Sequence, residues 1–145
     1  MSVSTPPPIH FFFEKKIALQ NRTYLKAYLS SIFKKEKRKL EYVNFIFTSD
    51  KHVLEVNRKY LQHDYYTDII TFELSSPGQP IQSDIYISVD RVRDNAGQNN
   101  VSIQQELHRV LFHGILHLCG YKDKSKKDIE RMRAKEEHYL KKYFI

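Results

Sequence analysis

The stretch HGILHLCGYKD, His113 to Asp123, constrains this chain more than any other. Its apolar residues continue a segment that begins near Ser102 and repeats at helical spacing. Gly120 stands where such a helix should end, because glycine takes a positive φ without steric penalty. His113 and His117 are four residues apart, so a helix places both imidazoles on one face, a turn apart. A third ligand cannot come from the next turn without crowding. A chain that stops at Gly120 and folds back can supply one, and Asp123 follows three residues later.

The spacing H-x3-H-x2-G-x2-D repeats that of the zincin pattern H-E-x-x-H-x-x-G-x-x-H, with Asp in the last place. Two imidazoles and a carboxylate with one position left open is an accepted catalytic zinc set. The expectation is therefore one Zn2+ held by His113, His117 and Asp123. The plainer alternatives are two packed histidines, and an aspartate that caps the next helix or pairs with Lys122, Lys124 or Lys126. His138 competes as a remote ligand, but its surroundings, KEEHYLKK, read as a solvated face. His10, His52, His63 and His108 show no partner spacing. Cys119 lies roughly 200° round the helix from His117, on the wrong face, and reads as core. Protease zincins carry their general base directly after the first histidine; here that position is Gly114, which disfavours a peptidase. A small residue there lets the backbone pack closely, or lets a bulky substrate approach an ion.

The rest of the chain bounds the fold. Its 145 residues suit one domain, taken here as residues 1–145. A single cysteine excludes an intramolecular disulfide and points to a reducing compartment, the cytoplasm. No apolar run approaches the roughly 20 residues of a membrane span. The start, MSVSTPPPIHFFFE, lacks the basic and apolar regions of a secretory signal. No small-molecule cofactor is called for. The net charge of +7 suits a polyanionic partner, with nucleic acid first.

Strands are expected over Ile9–Phe13, Tyr42–Thr48, Asp68–Leu74 and Asp84–Val89. Helices are expected over Arg22–Arg38 behind an Asn21 cap, Lys51–Leu61 behind Ser49 or Asp50, and Asp90–Gln98. Ser102 with Gln105 reads as a capping box for the histidine helix, and Ser125 with Asp128 as one for the last. The sum is an α+β domain: about four strands in a mixed sheet, four to five helices, and a zincin-like metal-binding helix.

HGILHLCGYKD also resembles the H-G-x-L-H-L-x-G-Y-D-H signature of the YbeY family, bacterial metal-dependent endoribonucleases of ribosomal RNA maturation. VNRKYLQHDYYTDIITFEL, Val56–Leu74, is similar to the family segment L-N-x-x-Y-R-x-K-D-x-P-T-D-V-L-S-F, with Asn57, Tyr60, Asp64, Thr67, Asp68 and Phe72 in agreement. Ser83–Ser88 resembles the strand G-D-I-x-I-S, and Glu106 falls where members carry Glu before the histidine helix. Some of the departures bear on chemistry. Asp123 replaces a histidine, Leu61 an arginine, His63 a lysine and Tyr66 a proline. Asp123 can still ligate zinc, though a carboxylate makes a bound water less acidic than the pKa of about 7 known for three-histidine sites. Leu61 cannot hold a phosphate, and Arg58 or Lys59 could stand in.

The resemblance implies a single-strand-specific, zinc-dependent endoribonuclease in maturation and quality control of small-subunit 16S ribosomal RNA. Its partners would be that RNA and ribosomal subunit proteins. No catalytic group is assigned beyond the metal-bound water. Lys122, Lys124 and Lys126 are the expected RNA contacts, and Tyr65 and Tyr66 could stack bases or simply pack. Glu106, about two turns from His113 on one face, would support a ligand histidine. For Asp68 and Asp84, turn or backbone roles are expected. The alternative is a non-catalytic ribosome-assembly or RNA-binding factor with a structural metal.

Overall fold

The computed structural model describes residues 5–145, so the first residues of the stretch read for a secretory signal lie outside it. The chain runs β1 (Ile9–Phe13), α1 (Arg22–Lys35), β2 (Leu40–Thr48), α2 (Asp50–Leu61), β3 (Ile69–Glu73), β4 (Ile81–Ser88), α3 (Val89–Gln98), α4 (Ile103–Leu118) and α5 (Lys126–Tyr143). The four strands form one sheet in the order β1-β2-β4-β3. β1, β2 and β4 are parallel, whereas β3 runs antiparallel to β4 at one edge. The expected α+β domain with a mixed sheet and five helices is what is found.

Strict alternation decides which way the strands face. In β4, Ile81, Ser83, Ile85 and Ile87 are buried while the residues between them are half-buried. Ile85 and Ile87 join Val43, Phe45, Phe47 and the inner faces of α1 and α4 in the main core. The intervening side chains face α2, where Val53, Val56 and Ile70 form a smaller cluster with Phe72 and Tyr86. Helices thus cover both faces of the sheet, as parallel strands require.

Some local expectations shift. Asn21 precedes α1 but sits in the left-handed region (φ 53°) and makes no side-chain cap. α1 ends at Lys35, short of Arg38, because Lys37 turns to φ 59°. β4 begins three residues before the expected Asp84, since Ser83 is tolerated inside by donating to the Phe72 carbonyl at 2.6 Å. Ser102 accepts from the Gln105 amide at 3.0 Å, but the reciprocal half of its box is absent; at α5 both halves of the Ser125–Asp128 box are made. Among the described residues no helix is long and apolar enough to cross a membrane.

Candidate active site

α4 carries the site because its buried stripe fixes its rotation. Leu107, Val110, Leu111, Ile115 and Leu118 are buried in the core. Gly114 packs directly on the sheet: a Cβ there would lie 3.0 Å from Ile69 Cδ1 and 3.1 Å from Ile85 Cδ1. Of the two roles a small residue at this place could have, close backbone packing is the one observed. This seating turns His113 and His117 towards β3 and the loop before it, where they line one cleft of about 310 Å³.

The end of α4 follows from Gly120. At φ +105°, its amide donates to the His117 carbonyl (3.0 Å) and that of Tyr121 to Leu116 (3.1 Å). These two bonds are a Schellman motif, which closes the helix and reverses the chain. The turn Tyr121–Ser125 then brings Asp123 to the cleft, with Oδ2 3.6 Å from His113 Nε2. The opposite wall is Tyr65, Thr67 and Asp68. Asp68 is more than a turn residue: it faces the cleft and approaches Arg109 Nη2 at 3.7 Å.

Behind His113 lies a cluster of charges that spacing alone did not disclose. His113 Nδ1 is 2.7 Å from Glu136 Oε2 on α5. Because a carboxylate can only accept, Nδ1 is the donor in this bond, and Nε2 is the ring nitrogen that faces the cleft. Arg109 clamps Glu136 (3.0 Å) and holds Glu106 with a two-pronged bond of 3.0 and 2.6 Å. Glu106 and Glu136 are only 2% and 3% exposed, so their pairing is essential. Burial draws the Arg109 guanidinium down, but the two glutamates outweigh it and raise its pKa further above an already high value. The expected support of a ligand histidine therefore comes from Glu136, and Glu106 acts one step further back. The signal available in the sequence was a glutamate on the stripe Met132–Glu136–Tyr139, otherwise apolar and buried.

The other expected residues disperse. Lys122 lines a separate groove, while Lys124 and Lys126 are exposed and line neither. Tyr65 lines the cleft; Tyr66 is exposed, with the Arg91 guanidinium 5.1 Å from its ring centre. Leu61 is 39% exposed at the end of α2. Arg58, one of its possible substitutes, is ion-paired with Asp64. Asp84 accepts from the Asn44 amide at 3.0 Å. His108 is buried against Phe112, Tyr143 and Phe144, and Cys119 is buried as expected.

Among the described residues, no three His, Cys, Asp or Glu side chains stand close enough, as placed, to hold an ion. His113 is oriented for one, His117 is exposed beside it, and Asp123 is half-exposed on a turn. The donor chemistry fits Zn2+: two imidazole nitrogens and a carboxylate, one imidazole already held through its far nitrogen.

A small α+β domain with a four-stranded mixed sheet, a histidine helix, a Schellman turn and a returning carboxylate is the class that fold and site define. Residues 12–144 match the family model described as Endoribonuclease YbeY. The endoribonuclease YbeY of Cytophaga hutchinsonii is 50% identical over 132 residues, 90% of this chain and 92% of that protein. That of Flavobacterium johnsoniae is 43% identical over 137 residues, 94% of this chain and 98% of the relative. The solution structure of TM1509 from Thermotoga maritima superposes with a TM-score of 0.64 at 31% identity, covering 91% of this chain and 86% of that one. The chain belongs to the YbeY endoribonuclease family.

Proposed function

We propose that this protein is an endoribonuclease that cuts single-stranded RNA in a Zn2+-dependent manner, acting in the cytoplasm on small-subunit ribosomal RNA during its maturation and quality control. Family membership supports RNA cleavage. The observation that carries the metal dependence is His113, whose Nδ1 is bound to buried Glu136 while Nε2 faces the cleft and Asp123. His113, His117 and Asp123 would hold the ion, which supplies Lewis acidity towards a phosphoryl oxygen. The chain's own groups do the rest. Tyr65 offers an exposed ring at the cleft wall on which an unpaired base can stack. Arg109 and Glu136 keep the His113 ring from turning. Asp68 places a second carboxylate on the wall across the cleft.

Two measurements test this. Zn2+ bound per chain should fall sharply in His117→Ala and Asp123→Ala, and unchanged content would remove the assigned ligands. Cleavage of single-stranded ribosomal RNA should be lost in His113→Ala and in chelator; cleavage that survives both refutes the metal-dependent reading. A second reading, a ribosome-assembly or RNA-binding factor with a structural ion, is favoured by Leu61 in the place of arginine and by the engagement of Arg58 with Asp64. Full RNA affinity without any cleavage by the Zn2+-loaded protein would select it.

A further inference from the structure

The turn after α4 borders two depressions. Asp123 lines the cleft, and its neighbour Lys122 lines a separate groove of about 410 Å³. Three cations meet in that groove: Arg38 after α1, Lys122 on the turn, and Arg131 in α5. All three are exposed, and among the described residues none forms an ion pair.

Two acids also line the groove, and both are already engaged. Glu36 accepts from Tyr121 (2.8 Å), Tyr139 (2.5 Å) and Lys135 (3.2 Å). Burial pushes its carboxyl up, but these donors outweigh burial and hold it below the usual range. Asp128 closes the capping box of α5. Glu36 is ion-paired with Lys135, so Asp128 is the one acid whose charge offsets the three cations. Arg38 is also shared with an adjoining depression of about 440 Å³, where Lys37 and Lys39 add two more cations against one acid, Glu73. Arg38 lies against the turn itself: its Nη2 is 2.9 Å from where a Cβ on Gly120 would stand. The basic band is thus attached to the turn that carries Asp123. Five exposed cations spread over two open depressions, rather than converging on one point, match a chain of phosphates and not a single bound anion.

We propose that the groove of Arg38, Lys122 and Arg131 is the track along which the phosphates of single-stranded RNA run towards the cleft. The inference rests on the endoribonuclease reading and extends it from where RNA is cut to how it is held. The test is a salt titration of oligouridine binding to the full chain in chelator. Each phosphate neutralised on a single strand contributes about 0.7 to the slope of log K against log salt. The triple variant Arg38→Ala, Lys122→Ala, Arg131→Ala should therefore bind with a slope shallower by about 2. The charge-matched variant Lys16→Ala, Lys51→Ala, Lys142→Ala removes exposed lysines outside the groove and should keep the wild-type slope. Restoring charge with Arg38→Lys and Arg131→Lys beside native Lys122 should also keep it. Equal slopes in the wild type and the groove variant, or equal losses in both triple variants, overturn the track while leaving the endoribonuclease reading to its own cleavage test. A wild-type protein that neither binds oligouridine nor cuts ribosomal RNA overturns both.

Discussion

The two sides of the cleft are built to different standards. On the helical side, His113 is bonded to a buried carboxylate, which is clamped by an arginine that also holds a second buried carboxylate. On the turn side, Asp123 is 51% exposed and reaches only 3.6 Å from His113 Nε2. One side is held by charges that cannot leave each other inside a low-dielectric interior. The other is set by a backbone turn alone. The comparison teaches that a cleft of this kind can be half preorganised: the imidazole is fixed by its buried partners, and the carboxylate is placed only by the turn that carries it.

The largest effect should come from breaking the helical side. Arg109→Ala leaves Glu106 and Glu136 buried without a counter-charge, a loss of about 3–5 kcal/mol. Urea unfolding reads this directly. A loss under about 1 kcal/mol would show that the cluster is not what fixes His113, and the contrast between the two sides would disappear.

Next is the turn. Gly120→Ala forces a Cβ onto a residue at φ +105° and pushes it towards Arg38, at a cost of about 1–3 kcal/mol. Arg38 has a flexible tip and can move, so the backbone strain dominates. The same variant should weaken Zn2+ binding, because the turn aims Asp123. Lower stability with unchanged Zn2+ affinity would separate the turn's two roles.

The helical side should also respond to acid. Burial depresses the His108 pKa, and its bond to the Gln104 carbonyl offsets this only in part. The unfolded chain therefore takes up this proton more readily than the folded one. The resulting stability is complete above the unfolded value of about 6.5 and is lost as pH falls through the lower folded value. Unfolding free energies measured from neutral to mildly acidic pH should decline across that window, and His108→Gln should flatten the decline.

How much of this was legible in the sequence divides along the same line. The histidine helix, its stop at Gly120 and the return of Asp123 were readable because they depend on spacing within one turn or two. Glu136 was not, because its partners His113 and Arg109 lie 23 and 27 residues away and meet it only through the α4–α5 packing. The strand order β1-β2-β4-β3 was equally hidden, since nothing local says that β4 inserts between β2 and β3. The lysines after Gly120 were readable as a charge run but not as lying outside the lining of the cleft. A turn's side chains take directions that the 3.6-residue period does not set. Asn21 carried a cap signature yet adopted φ 53°, where its side chain makes no cap.

The smallest change in stability should accompany one of the larger changes in binding. Asp123 is half-exposed, and the one basic side chain within ion-pair distance of it among the described residues is His113 at 3.6 Å. Exposed pairs of this sort contribute about 0–1 kcal/mol, so Asp123→Asn should leave the urea midpoint nearly where it is. The amide keeps the shape but gives up the negative charge, so Zn2+ affinity should drop well beyond what the stability change could explain. Equilibrium dialysis against Zn2+ and urea unfolding of the same protein make the comparison on one sample. If stability and Zn2+ affinity fell together, Asp123 would be part of the fixed wall after all. If neither moved, the third donor would lie elsewhere, and Asp68, across the same cleft, would be the residue to substitute next.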